Sequence, residues 1–299
     1  MLKAKTKNYL HLHLLVFIAG FTAILGKEIS IDSISLVWYR MIIAGVLMYI
    51  FIKLSKISLN VGIAAILKFS VAGILIAIHW ITFFESINQS NVSIALAMFS
   101  TGAFFASFIE PIFFRRKIIK YEIAFGLIVI LGVWLITQSE LKYLNGIILG
   151  IISALFSTLF AVVNGQFVKN YNASTISMYE FISGVFFISL FIFLFKGGFT
   201  EKFFILSNLD WIYIFTLASV CTAYAFIGVV HVMRYLTPYT VMLTYNLEPV
   251  YGILLALLLT PENEIMSSQF YYGAILIIST VLLNGIIKNS KSAKNLQKN

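Results

Sequence analysis

The chain has 299 residues, of which 60% are hydrophobic and only 11% charged, with a formal net charge of +9. Ordinary soluble domains carry about 25% charged residues, and no soluble core hides this much apolar surface, so a soluble domain is excluded and the solvent for most of the chain is lipid. The positive charge does not mark a nucleic-acid partner, because the Lys and Arg residues sit in short runs between apolar stretches and at the two ends.

A membrane-crossing helix needs about 20 apolar residues. Spans of that kind are predicted near 9–26, 34–53, 69–87, 92–113 and 121–138, then near 146–167, 174–195, 211–233, 239–259 and 269–287. The breaks between them carry Lys, Arg, Asn, Gly or acidic residues, as loops do. Lys3, Lys5 and Lys7 lead into the first apolar segment with no small-residue cleavage site behind it, which predicts a retained first helix. The single cysteine, Cys221, lies inside an apolar run and reads as a buried thiol rather than part of a disulfide framework.

Orientation follows from the Lys and Arg residues between spans. Lys3, Lys5, Lys7, Lys53, Lys56, Lys68, Arg115, Arg116, Lys117, Lys120, Lys169, Arg234, Lys288, Lys291, Lys294 and Lys298 fall on one side. Lys27, Lys142, Lys196 and Lys202 fall on the other, and Arg40 lies within a span. Both termini are therefore expected in the cytoplasm.

The two halves of the chain resemble each other. "FTAILGKEIS" around Gly26 matches "FAVVNGQFVK" around Gly165, and "VWYRMIIAG" around Arg40 matches "SMYEFISG" around Glu180. "STGAFFASF" aligns with "LEPVYGILL", setting Gly102 against Pro249, and "FGLIVI" with "YGAILI", setting Gly126 against Gly273. An odd number of helices per copy makes the second copy enter the membrane from the opposite side, and inverted repeats of this kind are a transporter architecture. The expected fold is thus an all-α membrane protein of ten transmembrane helices in two inverted five-helix repeats, 1–142 and 143–288, followed by a cytoplasmic basic tail, 289–299.

Charged side chains deep in lipid are costly and need a reason. Glu248 stands near the middle of the ninth predicted span in "TYNLEPVYG", beside Tyr245 and Asn246. Pro249 removes a helix hydrogen bond and predicts a kink there. A carboxylate, an amide and a phenol within one turn make a candidate substrate or proton site, against the plainer reading of a kinked packing helix. His79 and Trp80 lie near the middle of the third span, whose inverted counterpart region in the eighth holds Thr222, Tyr224 and Phe226. His79 is a candidate proton carrier or carboxylate partner, or a buried packing residue. Arg40 is a candidate outer gate with Glu85 or an attractor of anionic substrate, against snorkelling to the interface. Glu180, equally shallow from the cytoplasmic side, has the matching inner-gate reading or serves as a tether. Asn164 lines the inner vestibule or bonds a neighbouring helix.

Phosphate-binding loops, zinc motifs and nucleophile elbows do not occur in the sequence, so no cofactor or metal is indicated. The pieces "WYR", "HW", "FSTGAFF", "YE" and "NLEPVYG" resemble the EamA family of the drug/metabolite transporter superfamily, over roughly 9 to 287. The resemblance implies a central cavity, and export or uptake of amino acids or other small metabolites by proton antiport or facilitated diffusion. It also implies an inner-membrane location and a site made by His79, Trp80, Tyr224, Tyr245, Asn246 and Glu248. At Gly102 the family's first repeat often has proline, so the fourth helix is expected to lack the kink of its partner. The expected function is a secondary active or facilitative exporter of small organic metabolites, with membrane lipid as its surroundings, as monomer or homodimer. The competing reading is an intramembrane enzyme acting on a lipid-linked substrate.

Overall fold

The computed structural model describes residues 2–115, 117, 120–233, 235–236, 241 and 244–296. Arg116, Arg234 and Lys298 of the charge tally, and most of the first turns of the ninth predicted span, lie outside the described residues. What is described is helical, without strands.

The helices start where the sequence supplies caps. The first repeat contains α1 (Leu2–Glu28), α2 (Ser33–Leu54), α3 (Ile63–Gln89), α4 (Val92–Phe99), α5 (Gly102–Phe114) and α6 (Lys120–Ser139). Asp32 opens α2 by accepting from the backbone N–H of Ile34 and Ser35, and Asn91 opens α4 by accepting from Ile94. The second repeat contains α7 (Leu144–Phe167), α8 (Ala173–Phe195), α9 (Asn208–Ala218), α10 (Ala225–Val232), α11 (Glu248–Leu259) and α12 (Ser268–Leu296). Asn172 caps α8, and Ser207 with Asp210 forms a reciprocal capping box on α9. Eight helical segments among the described residues are long and apolar enough to cross a membrane, counting α4–α5 and α9–α10 as one each. Two shorter apolar helices, Glu248–Leu259 and Ser268–Asn284, complete the set.

The packing repeats itself when the halves are exchanged. α3 packs on α7 and on α8; correspondingly, the α9–α10 segment packs on α1 and on α2. α1 packs on α11, and α4–α5 pack on α7. α2 with α8, and α6 with α12, are pairs of equivalent helices meeting each other. Small residues allow the close crossings, as is usual where lipid supplies no hydrophobic drive between helices. A Cβ at Gly73 on α3 would lie 2.4 Å from the carbonyl oxygen of Glu180 on α8. A Cβ at Gly20 on α1 would lie 2.9 Å from the backbone nitrogen of Gly252 on α11. Large side chains such as Phe186, Phe193, Phe195 and Leu258 stay exposed on the outer faces, as a lipid-facing surface requires.

Among the described residues, three irregularities interrupt this regular frame at mid-bundle positions. The α4–α5 rod breaks at Ser100–Thr101, the chain before α11 turns at Asn246–Leu247, and the α9–α10 rod carries a π-helical turn over Ser219–Tyr224. The break between α4 and α5 corrects the expectation of an unkinked fourth helix. Without proline, hydroxyls do the work: Ser100 Oγ donates to the Leu96 carbonyl at 3.0 Å and Thr101 Oγ1 to the Met98 carbonyl at 2.6 Å. Such back-bonding competes with the helix ladder and bends it. The kink expected at Pro249 is likewise an interruption: Pro249 sits in the first turn of α11, where its missing N–H costs nothing. In the repeat alignment that pairs Gly102 with Pro249, the two breaks overlap, one residue out of step.

Candidate substrate-binding site

Arg40 on α2 is a charge buried within the bundle, 3% exposed. Its Nε donates to Thr222 Oγ1 at 2.8 Å, and its guanidinium carbon lies 3.9 Å over the centroid of the Trp80 ring. The π-turn is what delivers Thr222: the extra residue rotates its hydroxyl inward, where it also donates to the Leu217 carbonyl five residues back. The Phe84 ring centroid lies 5.6 Å from the guanidinium carbon, and Trp80 packs in turn on Phe181 and Phe226. Cys221, beside Thr222, is buried, interacts electrostatically with Arg40 and is hydrogen-bonded with Thr22 of α1. Arg40 Nη1 is buried and has no hydrogen-bond partner.

Glu248 opens α11 at the second break. It interacts electrostatically with both Arg40 and Tyr245, yet makes no ion pair with Arg40 within 4.0 Å. Tyr245 packs against the cluster built by Leu12, Leu15 and Val16 of α1. Asn246, half-buried, forms the turn itself. The two broken helices touch, because a Cβ at Gly252 on α11 would lie 2.3 Å from Leu96 Cδ1 on α4.

His79 stands beside the first break, its ring stacked on Phe99 with centroids 5.3 Å apart. Its Nδ1 is fixed by Ser153 of α7, 2.8 Å from the hydroxyl and 3.1 Å from the carbonyl oxygen. His79 therefore ties α3 to α7 and lies within electrostatic reach of Arg40.

The structure thus gathers Arg40, Trp80, His79, Tyr245, Asn246 and Glu248 around the irregular turns. It does not gather Tyr224. That residue is 42% exposed, and its hydroxyl lies 2.8 Å from His11 Nε2. Two positions on from Thr222 is about half a helical turn, so Thr222 faces inward and Tyr224 outward. The signal that selects Thr222 instead is the buried guanidinium's need for an acceptor.

The gate candidates find other partners in this structure. Arg40 does not reach Glu85, whose carboxylate instead accepts from Ser33 Oγ at 2.7 Å and from Gln89 Nε2 at 2.8 Å. Glu180 accepts from Asn164 Nδ2 at 2.7 Å, a bond between α8 and α7. The end of the bundle poor in Lys and Arg is tied by other groups. Glu264, fully buried, accepts from Lys27 Nζ at 3.0 Å and from the backbone N–H of Val92 and Ser93 at 3.2 and 2.8 Å. Its position draws together α1, the start of α4 and the loop before α12, and the opening N–H groups of a helix favour such an anion. Asp210 ties α9 to the α1–α2 loop by accepting from Ser30 N at 2.7 Å and Ser30 Oγ at 2.8 Å. Both carboxylates are missed by sequence reading because they sit in loops and first turns, where acidic residues are ordinary.

The EamA-like transporter family matches residues 6–138 and again 144–286, the two copies meeting at the α6–α7 junction. A protein of Bacillus subtilis (strain 168) described as an uncharacterized transporter is 24% identical over 196 residues, which cover 64% of this chain and 61% of that protein. A solved crystal structure superimposes with a TM-score of 0.63 over 93% of this chain and 97% of its own length, at 12% identity. That last likeness concerns the fold alone.

Proposed function

The chain belongs to the EamA-like transporter family and is a multi-pass membrane transporter of the cell's inner membrane, not an enzyme; on that premise we propose that it exports small organic metabolites such as amino acids by alternating access. The proposed topology is ten crossings with both termini cytoplasmic. Two inverted repeats, 1–142 and 143–288, precede a basic tail from 289.

The observation that carries the reading is the pair of helix interruptions at repeat-related places, Ser100–Thr101 and Asn246–Leu247. Discontinuous helices in corresponding positions of two inverted halves mark the substrate site of such carriers, because a broken turn frees backbone groups and bends cheaply. Arg40, Trp80, Asn246, Tyr245 and Glu248 form the substrate site in this account, and His79 anchors α3 beside it. Glu248 exchanges a proton or contacts substrate as α11 pivots at the turn before Pro249. The Lys27–Glu264 and Asp210–Ser30 ties hold the outer side closed, so the described conformation is the one shut to the outside. Glu180 with Asn164 belongs to the inner half, and Glu85 braces α2 through Ser33.

Substrate counterflow in proteoliposomes tests this, with a panel of labelled amino acids and small organic acids and Glu248→Gln run in parallel. Accumulation of one class, abolished in the variant, is the expected result. Glu248→Gln that transports normally at every pH would sink the proton role, and folded wild-type protein that moves none of these compounds would sink the substrate assignment.

A further inference from the structure

A buried guanidinium is an unusual object. It carries five N–H donors and no acceptor, and its charge is costly inside a bundle unless acceptors surround it. Arg40 has one neutral acceptor, Thr222 Oγ1, on its Nε, and an aromatic face at Trp80. The other nearby ring, Phe84, offers no acceptor. Glu248 lies near enough to be felt electrostatically but is not paired with it. Nη1 is left buried and unpartnered. The groups that hold the guanidinium in place leave both N–H donors of Nη1 open.

We infer that Arg40 Nη1 is the seat of the substrate's carboxylate, with the Trp80 ring fixing the plane of the guanidinium and Thr222 fixing its rotation about the side chain. A carboxylate matches the planar fork of arginine and forms charge-assisted bonds with it. Glu248, within electrostatic reach of Arg40, is then the partner for whatever the substrate carries at its other pole. An ammonium there makes the ligand a zwitterion; a proton on Glu248 instead admits a plain organic acid. This inference deepens the transport reading and rests on it for the fate of the bound molecule.

Binding and transport are therefore measured separately. Purified full-length protein in detergent is heated with L-amino acids, propionate, lactate and benzoate, each set against its own amide, with inorganic phosphate as a further anion. The expected result is that at least one acid raises the Tm and its amide does not. Arg40→Gln should bind that acid about tenfold or more weaker, the loss of one charge-assisted contact. Arg40→Lys, which keeps the charge and loses the fork, should bind between the two. Response to amino acids alone identifies a zwitterion, and response to the simple acids as well identifies the carboxylate as sufficient; both uphold the seat. An amide that binds as well as its acid overturns it, with no variant needed. So does unchanged binding by Arg40→Gln, stabilisation by phosphate alone, or no response to any carboxylate. Acid binding without counterflow would leave the seat standing and remove the transport reading; counterflow of acid and amide alike would do the reverse.

Discussion

Glu264 offers the sharpest energetic test of the closed outer side. Glu264→Ala removes an acceptor for Lys27 Nζ, Val92 N–H and Ser93 N–H at once. Breaking a buried ion pair from one side costs about 3–5 kcal/mol. Because Lys27 keeps 20% of its side chain exposed and can turn to water, the low end applies, about 3 kcal/mol. A difference of that size moves an open–closed equilibrium by roughly a hundredfold. The chain supplies its own reporter: Cys221 is its one cysteine and lies buried against the Arg40 cluster. In intact cells a membrane-impermeant maleimide applied outside should label wild-type Cys221 slowly and the Glu264→Ala variant about a hundred times faster. Glu264→Gln, which keeps one acceptor oxygen, should fall between. Labelling as slow in a folded Glu264→Ala variant as in wild type would refute the claim that this carboxylate holds the outer side shut.

Three further outcomes follow from the same geometry. Thr222→Val removes the one acceptor on Arg40 Nε and should cost about 1–3 kcal/mol, read as a lowered Tm in detergent, whereas Thr222→Ser should restore it. Gly73→Leu drives a side chain into the backbone of Glu180 at the α3–α8 crossing and should destabilise by about 1–3 kcal/mol or more; an unchanged Tm would mean the helices cross elsewhere. A reporter active only outside the cytoplasm should work when fused after Lys142 and fail when fused after Lys169, and the opposite pattern would invert the topology.

Much of the fold was legible because lipid imposes few solutions. Apolar runs of crossing length, separated by Lys, Arg, Asn, Gly or acidic residues, show roughly where helices lie; the caps at Asp32, Asn91, Asn172 and Ser207 emerge only in the structure. The internal repeat was legible through its order of weak matches, and the exchange-symmetric packing of α1 through α12 agrees with it. The interruption between α4 and α5 was not legible. A proline rule sees Pro249 and not Ser100 or Thr101, because the break there comes from hydroxyls that choose carbonyls over solvent. At the site, the charged residues were visible as intramembrane exceptions, but their partners were not. Arg40 was set against Glu85 by depth alone, while the π-turn at Ser219–Tyr224, which nothing in the residue pattern signals, brings Thr222 to it instead. Tyr224 was misplaced by the same turn. Glu264 and Asp210 were passed over because a loop carboxylate is unremarkable until its backbone partners are known.

In the proposed mechanism the two sides of the bundle open in turn around the broken helices, so pinning one side should stop the cycle. Ser30→Cys and Asp210→Cys, introduced together in a Cys221→Ala background, replace the pair whose oxygens meet at 2.8 Å, and a short thiol cross-linker then joins α9 to the α1–α2 loop. Counterflow in proteoliposomes should fall to background when the pair is cross-linked with a cleavable reagent and return when the link is cut. Undiminished counterflow by fully cross-linked protein would contradict alternating access at this end of the molecule.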